Sequence, residues 1–167
     1  CGSAMAETIS GNVTVTIPLS EIHLWEAGAG RLYDLRLTFC EDKVSSYFGL
    51  REVKLDGYRF LINGKSVFQR LILDQGFYPD GIYTAPSDEA LENDIRLSMA
   101  AGFNGARLHQ KVFEPRFLYH CDRLGYLAWG EMANWGFDHS SYSGYEAFIP
   151  EWIQAIERDF NHPSIVG

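Results

Sequence analysis

From Phe68 to the end of the chain, short apolar runs alternate with stretches of helical period, and this alternation limits the possible folds more than any other feature. Phe68-Gln69-Arg70-Leu71-Ile72-Leu73 is nearly continuous in apolar residues, the pattern of a strand covered on both faces in a parallel sheet. Ser87 then stands as an N-cap ahead of Asp88 and Glu89, whose charges suit the positive end of a helix. Leu91, Ile95, Ser98 and Met99 share one face of that helix, and Gly102 stops it. Phe103 to Leu108 reads as a second strand. A second helix opens near Pro115, turns Phe117, Leu118, Cys121 and Leu124 inward, and ends at Gly125. Tyr126 to Gly130 is a third strand, Pro150 to about Phe160 a third helix with Ile153 and Ile156 inward, and Ser164-Ile165-Val166 begins a fourth strand. Strand and helix in turn are the grammar of a parallel α/β domain with right-handed crossovers. The pattern fits an open sheet and a barrel equally. No Gly-x-Gly-x-x-Gly follows the first strand and no Gly-Lys-Ser or Gly-Lys-Thr occurs, which disfavours the nucleotide-binding versions.

The earlier residues follow a different period. Asn12 to Ile17 and Leu32 to Phe39 read as neighbouring strands of an antiparallel sandwich, with Ala27-Gly28-Ala29-Gly30 as the turn between them. After a polar bend at Glu41-Asp42-Lys43, Ser46 to Lys54 is the last strand expected in that unit. Tyr58 to Ile62 and Lys65 to Phe68 flank Asn63-Gly64, a hairpin signal because both turn positions favour positive φ. The chain thus divides into an antiparallel unit over 1–55 and a β/α unit over 56–167.

With 46% hydrophobic and 14% aromatic residues in 167, there is enough apolar material for a packed core. The net charge of -8, with basic residues scattered along the chain, argues against a nucleic-acid partner. No apolar run reaches the roughly 18 residues of a membrane span, and the first twenty residues lack the layout of an intact signal peptide, so no membrane association is expected. The start, Cys1-Gly2-Ser3-Ala4-Met5-Ala6, reads as internal or added sequence and leaves the compartment open. Cys1, Cys40 and Cys121 lack the spacing of a zinc or redox site, and Cys121 is expected as buried packing. Glu21, Glu26, Glu41 and Asp42 read as a solvated acidic face.

Several stretches resemble one family in the order that family uses them. His23-Leu24-Trp25 followed by Leu32-Tyr33-Asp34-Leu35 resembles the leucine-tryptophan and leucine-tyrosine signature near the end of the immunoglobulin-like domain of glycoside hydrolase family 2. Phe48-Gly49-Leu50-Arg51-Glu52 resembles its phenylalanine-glycine-phenylalanine-arginine junction, and Phe60 to Lys65 the hairpin before its barrel. Gly102 to Arg107 resembles the second barrel strand, Cys121 to Leu127 with Glu131 the third, and Arg158-Asp159 with Asn161 to Ile165 the approach to the fourth. The fold implied is the last strands of an immunoglobulin-like β-sandwich followed by the first three β/α units of a truncated (β/α)8 TIM barrel, since such barrels run to roughly 250 residues.

The resemblance implies a retaining exo-β-glycosidase of the β-galactosidase, β-glucuronidase or β-mannosidase type, β-galactosidase first among them, with a β-galactoside or related glycoside as partner. Two carboxylates about 5 to 5.5 Å apart are required, one as nucleophile and one as acid and base. The family pattern puts its acid/base glutamate a short distance past Asn161-His162-Pro163-Ser164-Ile165 and its nucleophile much later, so no residue here is assigned either catalytic role and the isolated chain is expected to be inactive. A non-catalytic carbohydrate-binding or structural module is the rival expectation. Exposed barrel edges would make the chain self-associate.

Six residues are expected at the sugar. Arg107 matches the arginine that the resemblance implies orients the nucleophile; the other reading is a surface ion pair. His109 follows it closely, although relatives carry histidine three residues past the arginine, where this chain has Gln110; a loop histidine bonding backbone is the alternative. Asp74, with Gln75, follows the first strand and suits either sugar hydroxyls or a turn. Glu131 after the third strand matches an acidic family position or braces a loop. Asn134 and Trp135 follow, Trp135 as a platform for the C-H face of a sugar, while Trp129 is placed in the core. Asn161-His162-Pro163 reads as a structural turn. No metal and no cofactor are expected.

Overall fold

The computed structural model describes residues 2–6, 11–138 and 140–167, so Cys1 lies outside the described residues. The elements in chain order are β1 (Tyr33–Phe39), β2 (Asp42–Phe48), β3 (Val53–Asp56), β4 (Arg59–Ile62), β5 (Lys65–Ser66), β6 (Leu71–Asp74), α1 (Asp88–Ala100), β7 (Gly105–Leu108), α2 (Pro115–Leu124), β8 (Leu127–Trp129) and α3 (Tyr142–Asp159). β1 and β2 pair antiparallel, β3-β4-β5 form an antiparallel sheet, and β6-β7-β8 form a parallel one. Beyond α3 the chain returns beside β8, where Ala128 N donates to Ser164 O at 2.8 Å and Val166 N to Ala128 O at 3.0 Å.

Local chemistry sets these boundaries. Asn63 and Gly64 adopt φ of 51° and 76°, as the tight β4-β5 turn requires. Ser87 caps α1 by accepting from Ala90 N at 3.2 Å, and Gly125 closes α2 at φ 72°.

Side-chain alternation divides the parallel sheet into two faces. Ile72, Ala106 and Ala128 align across it and meet α1 and α2 in the main core, with Leu91, Ile95, Phe117, Leu118 and Cys121. Leu71, Gly105 and Leu127 align on the other face. A Cβ on Gly105 would lie 2.6 Å from both Leu127 Cβ and Leu71 Cδ2, so the close approach of these strands needs glycine. Leu71 and Leu127 pack with Trp25, Phe60 and Ile62 in a second core. The β4-β5 hairpin and Trp25 therefore plug this face at the amino ends of its strands. One register step on, Leu73, Arg107 and Trp129 align, and the face opens: Leu73 is 56% exposed.

A buried aspartate joins the units. Asp122 of α2 is fully buried; its Oδ2 accepts from the Tyr47 hydroxyl at 2.8 Å and faces His162 Nδ1 at 2.6 Å, and its Oδ1 accepts from Ser164 N at 2.9 Å. Its carbonyl accepts from Trp25 Nε1 at 2.7 Å. Burial and the nearby carboxylate push the Tyr47 hydroxyl up, so it remains a proton donor. The turn role expected of Asn161-His162-Pro163 is met through His162, and Cys121 is fully buried with its thiol pushed up by desolvation.

Four expectations are corrected. Asn12 to Ile17 form no strand: among the described residues β1 pairs with β2 alone, and Val13 and Val15 are each 43% exposed. Ser46 to Lys54 is not one strand, because Trp25 N bonds Leu50 O and Arg51 Nε donates to Pro163 O, which draws the chain away between β2 and β3. α3 begins at Tyr142, capped by Ser141, and contains Pro150; Ile153 and Ile156 are 49% and 46% exposed instead of inward. β6 is an edge strand with Leu73 half open, so it is not covered on both faces. Glu26 of the expected acidic face pairs at the surface with Lys65 Nζ at 2.7 Å.

Asp122→Ala strands the Tyr47 hydroxyl and the Ser164 N–H in a buried site. It should lower unfolding stability by about 3 kcal/mol in urea titration; a loss below about 1 kcal/mol would show that the network is not what joins the units.

Candidate functional site

The carboxyl ends of β6, β7 and β8 bring the six expected residues to one rim, the end at which open parallel sheets present ligand sites. Arg107 points to the uncovered face because its neighbours Ala106 and Leu108 are committed to the core. Its Nε donates to Glu131 Oε2 at 2.6 Å. That partner raises the guanidinium's affinity for its proton, and Arg107 in turn holds the Glu131 carboxyl below its ordinary 4.5.

Glu131 also braces the loop after β7. Its Oε1 accepts from Gln110 N at 3.3 Å and Gln110 Nε2 at 3.1 Å. Gln110 Nε2 donates further to Asn134 Oδ1 at 2.6 Å, and Gln110 Oε1 accepts from the backbone N–H groups of Asn134 and Trp135 at 2.7 and 3.2 Å. Trp135 is 80% exposed, with the His109 ring edge-on to it at 5.4 Å between centroids. His109 is buried: its backbone N–H donates to Asp74 O at 2.7 Å and its Nδ1 lies 3.0 Å from Gln75 Nε2. It stands against the Trp135 indole and ties the loop after β8 to β6.

Asp74 acts as a turn-former, accepting from Gly76 N at 2.8 Å, and burial raises its carboxyl above the ordinary value. Trp129 lies half-buried against Phe60, with Nε1 donating to Gln69 Oε1 at 2.5 Å, in line with a core role. Two further residues hold the rim together without a signal in the sequence. Gln110 stands where relatives carry a histidine, and Lys111 Nζ ties the loop after β6 to the rim through Gly76 O at 3.0 Å and Tyr83 O at 2.8 Å. Nothing local in a lone glutamine or lysine signals such bonding.

The rim can present an apolar indole face beside a fixed cation and several amide and carboxylate groups. Its two carboxylates are both engaged. Among the described residues no group of three or more His, Cys, Asp and Glu could hold a metal ion, and no helix is long and apolar enough to cross a membrane.

A pH test follows from the Arg107-Glu131 pair. Because the folded carboxyl is depressed, its stabilising contribution is complete above pH 4.5 and is lost as pH falls through the lower folded value. Glu131→Gln should flatten that acid limb of the stability-pH curve while leaving the limb above pH 5 parallel to the unsubstituted chain; an unchanged acid limb would show the pair is not coupled to folding.

No protein-family model matches the chain. Among curated relatives, a β-galactosidase of Arthrobacter sp. (strain B7) is 28% identical over 160 residues, which is 90% of this chain and 16% of that protein. A β-galactosidase of Thermoanaerobacterium thermosulfurigenes is 26% identical over 166 residues, 89% of this chain and 21% of that one. Among solved structures, the family 2 β-galacturonidase of Eisenbergiella tayi bound to galacturonate superposes with a TM-score of 0.80 at 23% identity, over 92% of this chain and 28% of its own. A glycosyl hydrolase family 2 member from Bacteroides cellulosilyticus gives 0.68 at 30% identity, over 86% and 20%. The chain therefore spans less than a third of each of these relatives. Its homologues and structural neighbours, matched over most of its 167 residues, are the β-galactosidases and β-glucuronidases of glycoside hydrolase family 2.

Proposed function

We propose that this chain is part of a retaining exo-β-glycosidase, most specifically a β-galactosidase, and that it supplies one wall of the sugar site but neither catalytic glutamate. In this reading residues 1–55 are the end of an immunoglobulin-like sandwich and 56–167 the first three β/α units of a TIM barrel, with the Asp122 network joining them. The observation that carries the reading is the meeting of Arg107, Glu131, Asn134 and Trp135, backed by His109 and Asp74, at the carboxyl ends of three parallel strands. Catalytic residues of barrel enzymes sit at that end.

The chemistry of the rim supports a glycoside. A sugar offers an apolar C-H face and a ring of hydroxyls; Trp135 matches the first, and the Arg107, Glu131 and Asn134 groups match the second. Turnover needs two carboxylates about 5 to 5.5 Å apart, one free to attack and one free to carry a proton. Glu131 is fixed by Arg107 and Gln110 and Asp74 by Gly76, so neither is free for those roles. The curated β-galactosidases support galactose as the sugar.

Titration of the purified chain with methyl β-galactoside, read by tryptophan fluorescence, should saturate in the millimolar range, and Arg107→Ala or Trp135→Ala should weaken it at least about tenfold, the loss of one good contact. Nitrophenyl β-galactoside should not be hydrolysed. Absence of any saturable response would sink the sugar wall, and turnover by the pure chain would sink the claim that the glutamates lie elsewhere.

Self-association belongs to the same reading. Among the described residues one edge of β6 is unpaired, and α3 leaves Ile149, Ile153 and Ile156 exposed, as is its C-cap Phe160. Light scattering at high concentration should give a mass above the 18.9 kDa of one chain, and a clean monomer would refute this part.

A further inference from the structure

Asn134 and Trp135 stand on a loop without regular structure, and Trp135 is too exposed to be held by packing. Their backbone N–H groups nevertheless converge on one atom, the carboxamide oxygen of Gln110. The nitrogen of the same group donates to Asn134 Oδ1 and Glu131 Oε1, and the Gln110 backbone N–H donates to Glu131 as well. Gln110 does this from φ 57°, the left-handed region that glycine and asparagine favour, so the side-chain bonds hold an unfavourable backbone in place.

We infer that Gln110 is the positioning residue of the site: its carboxamide fixes the Trp135 platform and, through Glu131, the direction of Arg107. The link to sugar rests on the function proposed above; the clamp itself does not. Only a primary carboxamide suits the geometry. Two N–H groups need an acceptor on one side, and two oxygens need a donor on the other. A carboxylate would satisfy the first pair but oppose Glu131, and an ammonium would satisfy only the second. Since Glu131 spends Oε1 on Gln110 and Oε2 on Arg107, one glutamine orients both the apolar and the cationic parts of the rim.

Amide exchange by NMR on the full chain tests this directly, because it reads the two N–H groups themselves. In the unsubstituted chain the Asn134 and Trp135 amides should exchange at least tenfold slower than unprotected amides of the same sequence. Gln110→Gly, which suits the left-handed backbone, and Gln110→Met, which keeps the length, should each raise both rates at least tenfold. The Val67 and Asn104 amides, bonded to Phe60 O and Arg70 O, should change less than twofold and so report that the fold is intact. Unprotected Asn134 and Trp135 amides in the unsubstituted chain, which needs no variant to fold, would overturn the clamp; so would unchanged rates in the folded variants.

Methyl β-galactoside supplies the second readout. It should shift the Trp135 indole resonance of the unsubstituted chain and bind both variants at least tenfold more weakly. Equal binding by all three would overturn the positioning role. If the unsubstituted chain ignores the sugar while the amide results hold, the clamp stands and the sugar reading alone fails.

Discussion

The carboxylate of Asp122 is the point on which the arrangement turns. A buried charge is tolerated only when its lone pairs are occupied, and here the Tyr47 hydroxyl, the His162 ring and the Ser164 N–H surround it. Those three groups come from β2 and from the segment after α3, while Asp122 belongs to α2. One side chain thus sets where the antiparallel unit meets the α/β unit and where Ser164 to Val166 lie beside β8. The backbone of the same residue takes the Trp25 indole, which is itself fully buried in the second core. Polar satisfaction and apolar packing enforce the same placement, and loss of either weakens the other.

That placement gives the parallel sheet two unlike ends on one face. At the amino ends Trp25, Phe60 and Ile62 close against Leu71 and Leu127, and water is excluded. At the carboxyl ends Arg107, Glu131 and Gln110 bond one another in reach of solvent. The polar groups of this face are gathered at the open end. The strand register makes this unavoidable: with Ala106 and Leu108 turned into the core, Arg107 between them must point the other way.

Much of this was readable from residue order, for reasons particular to each element. α1 and α2 were visible because caps bound them and their apolar residues keep helical spacing, and the β4-β5 turn because Asn-Gly has few other uses. α3 was misplaced because Pro150 is a favoured helix start, whereas Ser141 provides an earlier cap and the helix runs through the proline. Asn12 to Ile17 shows strand-like alternation without a strand, since alternation states a face and cannot supply a pairing partner. At the site, the family resemblance pointed to Arg107 and Glu131, and residue type beside the strand ends to Asp74, Asn134 and Trp135. Gln110 stayed hidden because its importance lies in five hydrogen bonds to residues more than twenty positions away, and no local pattern encodes these.

The charge balance of the rim bears on what it would take. An exposed ion pair adds little stability by itself, yet it removes the conformational cost of orienting both groups later. Arg107 meets its counter-charge in Glu131, and Lys111 lies near Glu114 at 3.6 Å, so both rim cations are already partnered. A carboxylated ligand would have to compete with these internal partners for its ion pair. A neutral ring need not: it can cover Trp135, exchange hydroxyl-water bonds for bonds to groups already in place, and leave the Arg107-Glu131 pair intact. Excluding water on arrival would strengthen that pair, because the same charges attract more in a lower dielectric. Under the proposed reading, these electrostatics agree with a galactoside better than with a uronate.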